Sequence, residues 1–211
     1  MKSSKLSFAN CYLPITVAAL LWFLMFNPWI AMPVDFWAMM TISGCILLTL
    51  AITIDRSWLA DIKVSWSGLL LGIALALALW GIFWVGDKVA TWMFPFARPQ
   101  VDTIYGMKES QSEWVIGLLL LFVIGPAEEI FWRGYLQNNL SKRFNPNMGF
   151  ILTTLAYSLV HIFKFNFMLI MAAAVAGFIW GLLYRFFPNR LGAIVLSHAL
   201  WDCAVFIWFP I

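Results

Sequence analysis

Apolar residues gather along the chain into windows near 11–31, 34–54, 67–86, 114–136, 148–164, 167–187 and 191–210, separated by short polar clusters. Each window has about the 20 residues that an α-helix needs to cross a hydrocarbon core. The pattern predicts an all-α fold, a polytopic transmembrane helix bundle of about seven spans (six to eight), forming one membrane-embedded domain over residues 1–211. No internal repeat, low-complexity tract or second domain is visible. The stretch "DRSWLADIKVSW" at 55–66 suits either a short helix lying in the interface or a plain loop. The 87–113 connection carries Pro95, Pro99 and most of the extramembrane polarity, and is expected to be the longest loop.

Composition supports this division. Hydrophobic residues make up 63% of the chain and charged residues 11%, against roughly 25% charged in a soluble domain. Trp29, Trp37, Trp58, Trp66, Trp92, Trp114 and Trp208 lie near segment ends, where amphipathic rings anchor in the headgroup layer. Cys11, Cys45 and Cys203 fall in apolar segments without CxxC spacing, so buried free thiols are expected rather than disulfides or a zinc knuckle.

Charge sets the orientation. With seven spans and an inside N-terminus, Lys2, Lys5, Arg56, Lys63, Lys142, Arg143, Arg185 and Arg190 are cytoplasmic, and Lys88, Arg98, Lys108 and Lys164 are not. Eight against four predicts a cytoplasmic N-terminus in a multi-pass protein of the plasma (inner) membrane. Lys2 and Lys5 open the chain like a signal peptide, but no small-x-small cleavage site follows before residue 30, so a retained first helix is expected. A net charge of +3, dispersed along the chain, points away from nucleic acid. The expected partners are membrane lipids and a peptide or protein near the membrane.

Of ten acidic residues, Glu128, Glu129 and Asp202 lie inside apolar windows, as do Arg133 and the chain's two histidines, His161 and His198. A charged side chain at mid-bilayer costs roughly 2.5–3.5 kcal/mol, so the four charged residues would cost on the order of 10 kcal/mol if unpaired. They must pair, protonate or line a wet cavity. Glu129 and Arg133 stand at i and i+4 with the acid first, the favourable order for an ion pair. Glu128 points about 100° away and is free for another target. Tyr157 and His161 share a helix face, as do His198 and Asp202, whose carboxylate can fix the imidazole tautomer. At about 1.5 Å per residue, Glu128, His161, His198 and Asp202 fall in one central band of the bilayer.

"EEIFWR" matches Glu-Glu-x-x-x-Arg, "YSLVH" approximates Phe-x-x-x-His, and "HALWD" matches His-x-x-x-Asn/Asp, in that order on successive apolar segments. Over residues 114–205 the chain thus resembles the CPBP family. These are the CAAX proteases and bacteriocin-processing enzymes, also called ABI, of intramembrane glutamate proteases, with type II CAAX prenyl endopeptidases among them. Tyr157 stands where Phe is usual, and Asp202 where many members carry Asn.

The resemblance implies an endopeptidase in which Glu128 and His161 bind and activate water, with Glu128 as general base. His198 would stabilise the oxyanion, Asp202 would support it, and Glu129 and Arg133 would hold the geometry. No cofactor or metal is implied. Three other readings stay open on the residues alone. Glu128, His161 and His198 form a His₂Glu set that could hold catalytic zinc, although no HExxH is present. A buried polar network could also merely lock a scaffold or immunity-type partner. A transporter is less favoured, since no matching broken helices appear.

Overall fold

A computed structural model describes residues 9–211; the basic leader with Lys2 and Lys5 lies outside them. The regular elements among the described residues are helical, and six are long and apolar enough to cross a membrane. These are α2 (Phe36–Ile54), α3 (Trp66–Met93), α5 (Glu113–Arg143), α6 (Pro146–Lys164), α7 (Phe167–Phe186) and α8 (Pro188–Trp208). The first apolar window forms α1 (Ala9–Phe26), whose apolar stretch Cys11–Phe26 is shorter. A further short helix, α4 (Ala97–Tyr105), lies between α3 and α5.

Polar caps set where the helices begin. The side chains of Asp35, Ser65, Ser112, Asn145 and Asn166 accept backbone N–H groups in the first turns of α2, α3, α5, α6 and α7, satisfying donors that a helix start otherwise leaves orphaned. The Ala38 amide and then the Gln111 side chain hold the Asp35 carboxyl below its usual range. Outward faces carry Leu70, Leu77, Leu118, Phe122 and Leu155 in the open, as helices facing acyl chains should.

The 87–113 connection is not the long loop that its polarity predicts. Helix α3 runs on to Met93, and α4 plus a 3₁₀ stretch, Gly106–Ser110, take up most of the remainder. Nothing before Pro95 breaks the helix; Phe94, preceding that proline, is extended at φ −131° and ψ 117°, as pre-proline residues prefer. Pro99 falls in the first turn of α4, where its missing N–H costs nothing. Within 55–66 only Ser57–Asp61, a 3₁₀ turn, is helical before α3 begins at Trp66.

Two tryptophans expected at the headgroup layer are instead buried. The Trp37 indole donates to the Met107 carbonyl at 3.0 Å, and Trp58 packs beside Gly134 of α5. Trp29, Trp66, Trp92, Trp114 and Trp208 are exposed. Cys11 and Cys203 are buried, whereas Cys45 is exposed because it sits on the outward face of α2.

Helix α8 is the centre of the bundle, packed against α3 and α5. Its approach to α5 is close enough that a Cβ on Gly125 would lie 2.9 Å from the Ala199 Cα. Small residues at such crossings let backbones meet in a membrane, where hydrophobic collapse offers no drive. Gly125→Leu should therefore push α5 and α8 apart and cost at least the roughly 1–3 kcal/mol of an overpacked core, read as a lower unfolding midpoint in detergent.

Candidate active site

Helix α5 changes register around its two glutamates. Pro126 brings no N–H and crowds the carbonyl one turn back, and the chain widens into a π stretch over Leu120–Ile124 just before it. An α segment, Gly125–Glu129, follows, then a second π stretch, Ile130–Gln137. Such widenings recur at functional positions because they redirect side chains without breaking the helix.

The two carboxylates part company here. Glu129, fully buried, places Oε1 2.7 Å from Arg133 Nη1 and 2.7 Å from His198 Nδ1. One oxygen thus joins α5 to α8. Arg133 also donates through Nη2 to the Gly177 carbonyl of α7 at 3.3 Å. Its guanidinium lies over the rings of Tyr157, 4.7 Å, and Trp180, 5.5 Å, where cation–π attraction offsets lost hydration. Gly177 leaves room for this arrangement, since a Cβ there would meet the Tyr157 ring at 2.8 Å. Glu128 turns elsewhere, lining a cavity together with Tyr157, and its Oε2, like that of Glu129, is buried with no hydrogen-bond partner among the described residues.

His198 is held on three sides. Trp180 stacks on the ring at 4.1 Å between centroids with 20° between planes, Glu129 takes the Nδ1 side, and Asp202 Oδ2 lies 3.4 Å from Nε2. A nitrogen facing a carboxylate oxygen at 2.7 Å must donate, so the closer orienting carboxylate is Glu129, with Asp202 the more distant one. His161 sits where α6 tightens into a 3₁₀ tail, Val160–Lys164. Tightening from i→i−4 to i→i−3 bonding strips a carbonyl of its helical partner. The His161 Nδ1 lies 2.8 Å from the Tyr157 carbonyl, to which it can only donate. Its Nε2 then accepts the Trp22 indole N–H of α1 at 3.2 Å.

Glu128, His161, His198 and Asp202 line one cavity of about 420 Å³, together with Tyr157. Glu129 and Arg133 lie behind its wall. The polar groups gather at the deep end, while Phe26, Phe83, Phe94, Ile104, Met168 and Phe206 make the sides apolar. Asp87 also reaches the wall, buried beside Lys88 at 3.2 Å and Arg98 at 3.6 Å.

Sequence reasoning missed Trp22, Trp180 and Asp87. Trp22 and Trp180 are mid-window tryptophans, unlike those at the segment ends, and that position was the available signal. For the zinc reading, no group of three His, Cys, Asp or Glu among the described residues is arranged to hold a metal ion.

Residues 110–204 match the model of the type II CAAX prenyl endopeptidase Rce1-like family. The match spans the three segments that carry Glu128, His161 and His198. No curated protein and no solved structure matches the chain.

Removing one member of a buried ion pair leaves an uncompensated charge. Arg133→Leu should destabilise the bundle by about 3–5 kcal/mol, and Glu129→Leu added to it should restore only part of that loss, because His198 Nδ1 then lacks its acceptor. Unfolding midpoints of the wild type, both single variants and the double variant in detergent measure the coupling.

Proposed function

We propose that this chain, a member of the type II CAAX prenyl endopeptidase Rce1-like family by its residues 110–204, is a membrane-embedded endopeptidase. It hydrolyses a peptide bond of a membrane-associated protein or peptide with water activated by Glu128. The carrying observation is the division between neighbouring carboxylates: Glu129 commits Oε1 to Arg133 and His198, whereas Glu128 lines the cavity.

In this reading Glu128 takes a proton from water as the oxygen attacks the peptide carbonyl carbon. The tetrahedral oxyanion accepts a hydrogen bond from Nε2–H of His198, which as an imidazolium between Glu129 and Asp202 donates through both nitrogens; its ring is already aimed by Trp180 and Glu129, so little reorganisation is needed. Collapse breaks the C–N bond, and the proton held by Glu128 passes to the departing amine. Asp202 steadies the Nε2 side of His198. His161 Nε2, the lone pair now accepting from Trp22, is where the attacking water would bind once the indole gives way. Glu129 and Arg133 hold these groups in place without touching substrate. The apolar walls suit side chains or a lipid group arriving from the bilayer.

Purified wild type and Glu128→Gln, incubated with membrane peptides that include C-terminal prenyl-cysteine ones, test this by product mass. Glu128→Gln should lose about 10²–10⁴-fold in turnover with an unchanged unfolding midpoint. Turnover retained in the variant would defeat the assignment, and unfolding in place of lost turnover would make the network a structural lock.

A further inference from the structure

The cavity runs from mid-membrane to one end of the bundle only. Its residues nearest helix ends are Phe36, Phe94, Ile104, Met107, Phe167 and Ile211. All belong to the start of α2, to the α3–α5 connection, to the start of α7 or to the segment after α8. None comes from the opposite end, near 54–66, 138–146 or 184–190. Below the cavity that end is filled by buried Arg133, Tyr135 and Gln137, and Tyr184 closes it further by donating to Asp61 at 3.0 Å.

The two ends differ in basic residues. The closed end carries Arg56, Lys63, Lys142, Arg143, Arg185 and Arg190, and α1 begins there, packed against the 138–143 part of α5. Lys2 and Lys5 precede that helix in the sequence. The open end carries Lys88, Arg98, Lys108 and Lys164. Three of these four are ion-paired: Lys88 with Asp87 at 3.2 Å, Arg98 with Asp102 at 2.7 Å, and Lys108 with Glu113 at 3.4 Å. Lysine and arginine near span ends are retained on the cytoplasmic side, and acids weigh little in that bias.

We infer that the cleft opens away from the cytoplasm and takes its peptide from that side, as an extended apolar segment lying in the non-cytoplasmic leaflet. The substrate half of this inference rests on the peptidase reading; the direction of opening does not. Helix α4 packs on both α3 and α7 and roofs the gap between Ile82, Gly86 and Ala90 on one side and Met168, Met171 and Ala172 on the other. A segment anchored in that leaflet can slide beneath α4 to Glu128. The cytoplasmic terminus of a protein lipidated inside the cell would meet the closed end.

The bundle already shows what this mouth does with extended chain. The Phe209 carbonyl accepts from the Trp80 indole at 2.9 Å, the Ile211 amide donates to the Tyr105 hydroxyl at 2.9 Å, and the Ile211 carbonyl accepts from Arg98 at 3.3 Å. Side chains of α3 and α4 thus bind backbone groups there directly.

Single cysteines placed at exposed Ser110 and Asn189, one per variant, test the direction with the native thiols retained and the unsubstituted chain as control. In spheroplasts treated with a membrane-impermeant maleimide, Ser110→Cys should label at least tenfold faster than Asn189→Cys, with the difference vanishing on permeabilisation. The reverse order overturns the inference. Two reporters carrying the same apolar segment, anchored from opposite sides of the membrane, are then compared in wild type and Glu128→Gln. Cutting of the non-cytoplasmic reporter alone, by wild type alone, is expected. Cutting of only the cytoplasmic reporter overturns the inference. If neither is cut while Ser110→Cys still labels first, the hydrolytic reading falls and the direction of opening stands.

Discussion

One carboxylate oxygen, Glu129 Oε1, accepts from Arg133 and from His198 at the same 2.7 Å. In a bilayer this is a severe constraint, because each ion unsatisfied there costs several kcal/mol. Helices α5 and α8 therefore cannot slide or rotate past one another without stranding at least two charged or polar groups. The close contact of Gly125 with Ala199 is the steric side of the same requirement. Together they fix the imidazole of His198 relative to the cavity floor before any peptide arrives.

The division between Glu128 and Glu129 follows from local backbone form. Adjacent residues on a helix diverge by about 100°, so only one of two consecutive acids can join a given neighbour. The π stretches on either side of Gly125–Glu129 adjust where each points. One acid becomes structure, and its neighbour lines the cavity. A lone glutamate in this helix would have to choose between those states.

Much of this was legible in the chain because the signals are local. Apolar length marks the spans, and the i, i+4 spacing of Glu129 with Arg133 predicts the ion pair that forms. Contacts set by the tertiary arrangement were not. His198 stands 69 residues from Glu129, and Trp22 stands 139 residues from His161 in a helix outside the family match. The 87–113 region misled because polar composition resembles a loop, whereas Pro95 and Pro99 punctuate helices there. Trp37 and Trp58 misled for a related reason: a ring near a span end can reach lipid headgroups or a neighbouring helix, and spacing alone does not distinguish them.

Arg133 lies between the faces of Tyr157 and Trp180 while its nitrogens reach Glu129 and the Gly177 carbonyl. Aromatic rings and a planar cation are stiff spacers, so the gaps among α5, α6 and α7 are gauged by ring thickness and not by the surrounding lipid. Helices outside this stack can tilt to match bilayers of differing thickness while the stack keeps its dimensions. The protein thereby gains a mechanically insulated interior within a deformable medium.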